Sequence, residues 1–155
     1  MWKFIWGVYI IFTLIYQVAI YAGCAYSLYV IAKRNGVKVP VLAFVPFLQF
    51  YVVGSICEEY EIKGYRIKQL GLVMVLLSVI QAAGSISAAG GIFSLAAGIF
   101  MALVFHKFYY LFSPQNAFIF ALLSLFELPR VIILFMIKDM PMLMSAAAYH
   151  YPFGN

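Results

Sequence analysis

An all-α bundle of membrane-spanning helices is the fold that this sequence predicts, and three observations predict it. Hydrophobic residues make up 66% of the 155-residue chain and charged residues only 10%. A water-soluble domain is nearer half apolar and a quarter charged, so this chain lacks the polar residues to cover itself in water. Long uncharged runs recur at lengths that suit a hydrocarbon core about 30 Å thick, which about 20 helical residues cross. Between these runs stand turn residues and nearly all of the charges.

The first predicted span covers residues 4–32, without a charge. At the helical rise it would be about 43 Å long, so it must tilt or project beyond the bilayer. Lys3 followed by an apolar stretch and Ala22-Gly23-Cys24 faintly suggests a lipoprotein signal. Tyr21 suits that box poorly and the apolar run continues past it, so an uncleaved span is expected. Three more spans follow at about 69–87, 92–112 and 117–137. Gly90-Gly91 separates the second from the third, and Ser113-Pro114-Gln115-Asn116 separates the third from the fourth.

Residues 39–57 are uncharged but carry Pro40, Pro46, Gln49 and Gly54. Pro46 would remove a backbone hydrogen bond near the centre of a span. Irregular backbone survives at membrane depth only where protein or a wet cavity surrounds it. The segment is therefore expected to be re-entrant or interfacial, with a kinked fifth span as the alternative. Lys and Arg accumulate on the cytoplasmic side and can arbitrate. With four spans, Lys33, Arg34, Lys38, Lys63, Arg66, Lys68 and Lys107 share one side, and only Lys3 and Lys138 face the other. With five, the charges divide almost evenly. The four-span arrangement is expected, with both termini outside.

The apolar tail at 141–155 is too short to span, and its Tyr149, Tyr151 and Phe153 suit the outer interface. Trp2 and Trp6 are expected at the same level, and Tyr109 and Tyr110 at the inner one.

The net charge of +5 would suggest nucleic acid in a soluble protein. Here the cations sit between apolar runs, and no basic stripe with exposed aromatics exists, so contact with anionic lipid is expected and nucleic-acid binding is not. Cys24 and Cys57 do not suggest a disulfide framework, and His106 and His150 have no ligand spacing to either cysteine. Walker, Rossmann, HExxH and nucleophile-elbow patterns do not occur. Neither an enzyme, a metal nor a cofactor is expected.

Small residues recur at period four on two spans: Ala19, Gly23 and Ser27, then Ser94, Gly98 and Ala102. Such rows let helix backbones approach closely in lipid. They are read as contacts within one bundle, the alternative being a dimerisation face. The sharpest chemical feature is Glu127-Leu128-Pro129-Arg130, placed near the middle of the fourth span. An ionisable group at that depth costs about 2.5–3.5 kcal/mol on insertion scales and marks a candidate site. Pro129 would kink the helix and free the carbonyl of Leu125. Glu127 and Arg130 are spaced to neutralise each other on one helix face, so a local ion pair competes with a proton or cation site. Gln49 and Gln81 are candidate partners, Gln17 is read as packing glue and His106 as interfacial. The loop at 58–68, with three acids and three bases, is expected to be a solvated cytoplasmic loop.

The string KRNGVKVPVLAFVPFLQFYVVGSI at 33–56 resembles a segment of small multi-pass membrane proteins of bacteria, mainly Gram-positive ones. The matching residues are Gly36, Ala43, Phe44, Pro46, Phe47, Tyr51 and Gly54. Gln49 stands where Asn is usual, and no Trp precedes Ala43. A second echo is YYLFSPQN at 109–116. The resemblance implies an address in the bacterial cytoplasmic membrane and carries over no catalytic residue, the family having no assigned activity. The function expected is that of a non-enzymatic accessory or scaffold subunit, or a homo-oligomer, partnered by lipid and other membrane subunits. The alternative is a small oligomeric transporter or channel using Glu127 and Arg130, and an intramembrane enzyme ranks third.

Overall fold

The computed structural model describes residues 2–58, 60–62, 65–84 and 88–143. Its elements are α1 (Trp2–Arg34), a 3-10 turn (Pro40–Phe44), α2 (Leu48–Ile56), β1 (Tyr60–Ile62), β2 (Tyr65–Ile67), α3 (Leu70–Gly84), α4 (Ala88–Phe112), α5 (Ala117–Leu123) and α6 (Glu127–Ile137). Helices dominate, as the composition predicts. Two of them contain stretches long and apolar enough to cross a membrane, Ile5–Arg34 and Gly91–Phe112, while Leu70–Ala83 is a shorter apolar helix.

Helix α1 ends where Asn35-Gly36 allows it to. Gly36 adopts φ +70°, and the Val37 N–H returns to the Ala32 carbonyl at 3.0 Å. That closure caps the helix and is open to glycine because it has no Cβ. The chain then folds back beside α1, and the Tyr21 hydroxyl donates to the Phe44 carbonyl at 2.7 Å. Pro40 opens the 3-10 turn. After Pro46, Phe47 takes φ +65° and the chain turns into α2. A left-handed backbone costs a bulky residue roughly 1–2 kcal/mol, which surrounding contacts must offset. Residues 39–57 thus form two short pieces, neither long enough to be a fifth span.

Packing is tightest where α2 meets the start of α3. A Cβ on Gly54 would lie 2.6 Å from the Gly71 Cα, so the two backbones touch. Among the described residues the small-residue rows also face inward. A Cβ on Gly23 would lie 2.9 Å from Val131 Cγ1 of α6, and one on Gly98 would lie 3.1 Å from Gln81 Nε2 of α3. Ser27 is buried, Ala102 half-buried and Ala19 exposed, while the Ser27 and Ser94 hydroxyls are buried without a hydrogen-bond partner among the described residues.

The fourth expected span differs. Residues 117–137 are not one helix but two, α5 and α6, with a turn at 124–126. Pro129 explains the break, because it has no N–H to continue a helix from Leu125 and its ring would clash with that carbonyl. It lies instead in the first turn of α6, where an N–H has no intrahelical acceptor to miss. The expected mid-helix kink is therefore a helix start. Helix α5 runs back along α4, with the Tyr109 and Phe120 rings 5.9 Å apart and the Ser124 and Tyr109 hydroxyls hydrogen-bonded at 2.5 Å. Helix α6 then runs parallel to α1 toward the end of that helix. There Arg34 Nη1 donates to the Lys138 carbonyl at 3.1 Å and approaches the Asp139 carboxylate at 3.9 Å.

This last contact corrects the expected topology, in which Arg34 and Lys138 stood on opposite sides. They stand together, and the Leu143 N–H bonds the Leu111 carbonyl at the C-terminal end of α4. The ends of α1, α4 and α6 share one face.

The loop expected to be solvated differs too. It holds a short antiparallel hairpin pairing Tyr60 with Ile67, and Tyr60 is buried against Phe100. Lys107, expected on the cytoplasmic side, is fully buried with its ammonium 5.8 Å from the Tyr60 ring centre. Lys63, residues 85–87 and the tail beyond Leu143, with Tyr149, His150, Tyr151 and Phe153, lie outside the described residues.

Candidate functional site

The break before α6 brings the Glu127–Arg130 sequence to a junction of three elements. A cleft of about 150 Å³ is lined by Gln17, Ile20, Tyr21 and Cys24 of α1, Gln49 of α2, and Glu127 and Arg130 of α6. Gln49 reaches it because Phe47 turns the chain into α2 one residue earlier than the glutamine's own neighbour. Glu127 is the first residue of α6, with an exposed side chain, and an acid there is favoured by the helix dipole. Arg130 is half-buried one turn further in, and its guanidinium reaches toward the Cys24 thiol.

Arg130 also borders a second cavity of about 150 Å³, shared with Phe50, Gln81, Gly98, Ser124 and others. It therefore stands between two spaces, one against α1 and one against α3 and α4. Among the expected site residues the fold brings Glu127, Arg130 and Gln49 together, with Pro129 setting their start. Gln81 lies across Arg130, on the second cavity.

Of the two alternatives for Glu127 and Arg130, the local ion pair does not form. Among the described residues, side-chain ion pairs closer than 4.0 Å join Asp139 to Arg34 and to Lys138, and Glu127 is not paired with Arg130. The Lys138 ammonium donates a hydrogen bond to the Asp139 carboxylate and holds it below the usual carboxylate range, with Arg34 acting in the same direction.

Sequence reasoning passed over Gln17, Tyr21 and Cys24 as site residues. Their spacing of four and then three places them on one face of α1, a polar stripe readable from helical periodicity. Ser124 and Tyr109 carried no such signal, since only the turn at 124–126 brings them together. His106 lines a different groove of about 260 Å³ between α4 and α5, with Ala102, Leu103, Phe118, Ala121, Leu122 and Leu125. That groove is almost wholly apolar, so it suits a hydrocarbon better than a polar reactant. Among the described residues no group of three or more His, Cys, Asp or Glu could hold a metal ion.

Comparison with protein-family models, with curated proteins and with solved structures finds no match to this chain.

Proposed function

We propose that this is a small multi-pass protein of the bacterial cytoplasmic membrane, non-enzymatic, working by association as an accessory or scaffold subunit or as a homo-oligomer. The observation that carries this reading is the outer half of α1. From Trp2 to Tyr16 every described side chain is exposed, and only Gly7 is half-covered. That stretch includes Trp2, Trp6, Tyr9, Phe12 and Ile15, which offer large apolar contacts to lipid and to neighbouring helices.

Charge placement supports a refined topology of three crossings, α1, α3 and α4, with residues 39–57 and 117–137 entering and returning from one face. Lys33, Arg34, Lys38, Lys63, Arg66, Lys68, Lys107 and Lys138 then share the cytoplasmic side, leaving Lys3 outside. This asymmetry is steeper than the four-span arrangement gave, in the direction that Lys and Arg topogenesis favours. The N-terminus remains outside, and residues up to Leu143 end inside. Cysteines placed at Asn35 and Met140 should both label from the cytoplasm; labelling from opposite sides would overturn the topology.

The association reading is tested by the mass of the purified chain in nanodiscs, and by disulfide cross-linking through cysteine at Phe12. An oligomer or a stoichiometric co-purifying subunit, cross-linked at that position, is expected. A monomer without partners would overturn it. A second reading, a small-solute transporter or channel, is favoured by one observation, the polar cleft at Arg130. Arg130-dependent flux through the purified protein in proteoliposomes would decide for it.

A further inference from the structure

The cleft between α1, α2 and α6 presents one acid and one base to the same space, and neither neutralises the other by contact. Three residues apart on a helix, such a pair could meet. Here Glu127 opens α6 as an exposed residue at the rim of the cleft, and Arg130, half-buried, reaches toward Cys24. Because the two do not pair with each other, each is left to be compensated by solvent or by a ligand. A lone cation entering this cleft would meet Arg130, and a lone anion would meet Glu127. A molecule that carries both charges meets neither conflict.

We infer that the cleft binds a small zwitterion of the free α-amino acid class, its carboxylate on Arg130 and its ammonium on Glu127. Three further features fit. A water needs roughly 10–15 Å³ of such space, so about 150 Å³ takes a ligand of alanine size together with several waters. The amides of Gln17 and Gln49 face the cleft and take no hydrogen bond from the described residues, which leaves donors and acceptors for both ends of the ligand. Ile20 and Cys24 provide an apolar wall for a short side chain. Planar guanidinium geometry suits a carboxylate in two-point contact. The inference goes beyond the association reading and does not depend on it, because a binding site of this kind serves an accessory subunit or a transporter equally.

The test is equilibrium dialysis of the full-length protein in detergent micelles against radiolabelled L-alanine, with unlabelled acetate and ethylammonium as competitors. Saturable binding at one site is expected, with each single-charge competitor at least tenfold weaker than unlabelled alanine. Glu127→Gln, at an exposed position, should weaken alanine at least tenfold and leave acetate competition unchanged or stronger. Arg130→Gln should abolish binding of both. Acetate competing as well as alanine, with Glu127→Gln harmless, would overturn the zwitterion in favour of a simple anion site. Absence of saturable alanine binding to the folded wild-type protein would overturn it outright. If Arg130→Gln does not fold, the wild-type competitor ratios and the Glu127 variant still decide. The mass of the same sample reports association separately, so the two readings fail independently.

Discussion

From Trp2 to Tyr16, α1 stands clear of the rest of the chain, whereas from Cys24 to Ala32 the same helix buries Cys24, Ala25, Ser27, Leu28, Ile31 and Ala32. Both halves are apolar, so hydrophobicity does not separate them. Residue size does. The inner half carries Gly23, Cys24, Ala25, Ser27 and Ala32, while the outer half carries Ile5, Trp6, Tyr9, Ile10, Ile11 and Phe12. In lipid, burial of apolar area gives little drive for helices to associate, and close backbone approach gives more. Small residues are concentrated in the packed half, where Leu28 and Ile31 are buried among them, and large ones crowd the exposed half.

Substitutions can break this comparison, beginning with the closest contact in the packed region. Gly54→Leu should have the largest effect, because its Cβ would press on the Gly71 backbone, which cannot swing aside. Overpacking typically costs about 1–3 kcal/mol and occasionally more, and this site belongs at the upper end. Thermal unfolding in detergent would measure the loss; wild-type stability would show that α2 and α3 are not in backbone contact.

Gly23→Leu comes next. Its nearest obstacle is a Val131 methyl carbon, a side-chain atom that can shift in part, so about 1–3 kcal/mol is expected from the same assay. Gly98→Ala is gentler, since the atom in the way is the flexible end of Gln81, and about 1 kcal/mol or less is expected. If Gly98→Ala proved costlier than Gly23→Leu, the ranking by backbone and side-chain contact would fail.

Phe12→Ala, in the exposed half, should move folding stability by no more than about 0.5 kcal/mol. It should nevertheless weaken any oligomer seen in nanodiscs, which mass measurement would detect. A large stability loss without partners would mean that the outer half packs on its own chain.

The smallest effect belongs to Asp139, at the shared end of α1 and α6. Its carboxyl is held below its usual range of about 4, chiefly by the hydrogen bond from Lys138. A depressed folded-state value means that its contribution is present above the unfolded value and is lost as pH falls through the depressed one. A slight drop in unfolding temperature below about pH 4 is therefore expected, and Asp139→Asn should flatten it. An unchanged slope in that variant would show that Asp139 contributes nothing there.

Much of the site was legible in part. Glu127, Arg130 and Gln49 stand out as polar groups in apolar runs, because a charge without water needs a reason. Gln17, Tyr21 and Cys24 could have been added from their shared helix face. What periodicity could not give is the pairing of that face with α6, since the two segments are about a hundred residues apart. Nor is the consequence of Pro129 legible in the local sequence. A proline inside an apolar run is compatible with a kink or with a helix start, and local sequence does not choose between them.

By itself, the sequence determined the helical, strongly apolar character of this protein and the irregular stretch around Pro40 and Pro46. These follow from composition and from backbone chemistry that acts within a few residues. The tertiary structure alone decided that 117–137 turns back, because α5 finds Ser124 a partner in Tyr109 and α6 finds Gly23 a groove for Val131. Those contacts join residues far apart in the chain, and their strength depends on fit between surfaces, which no single segment encodes.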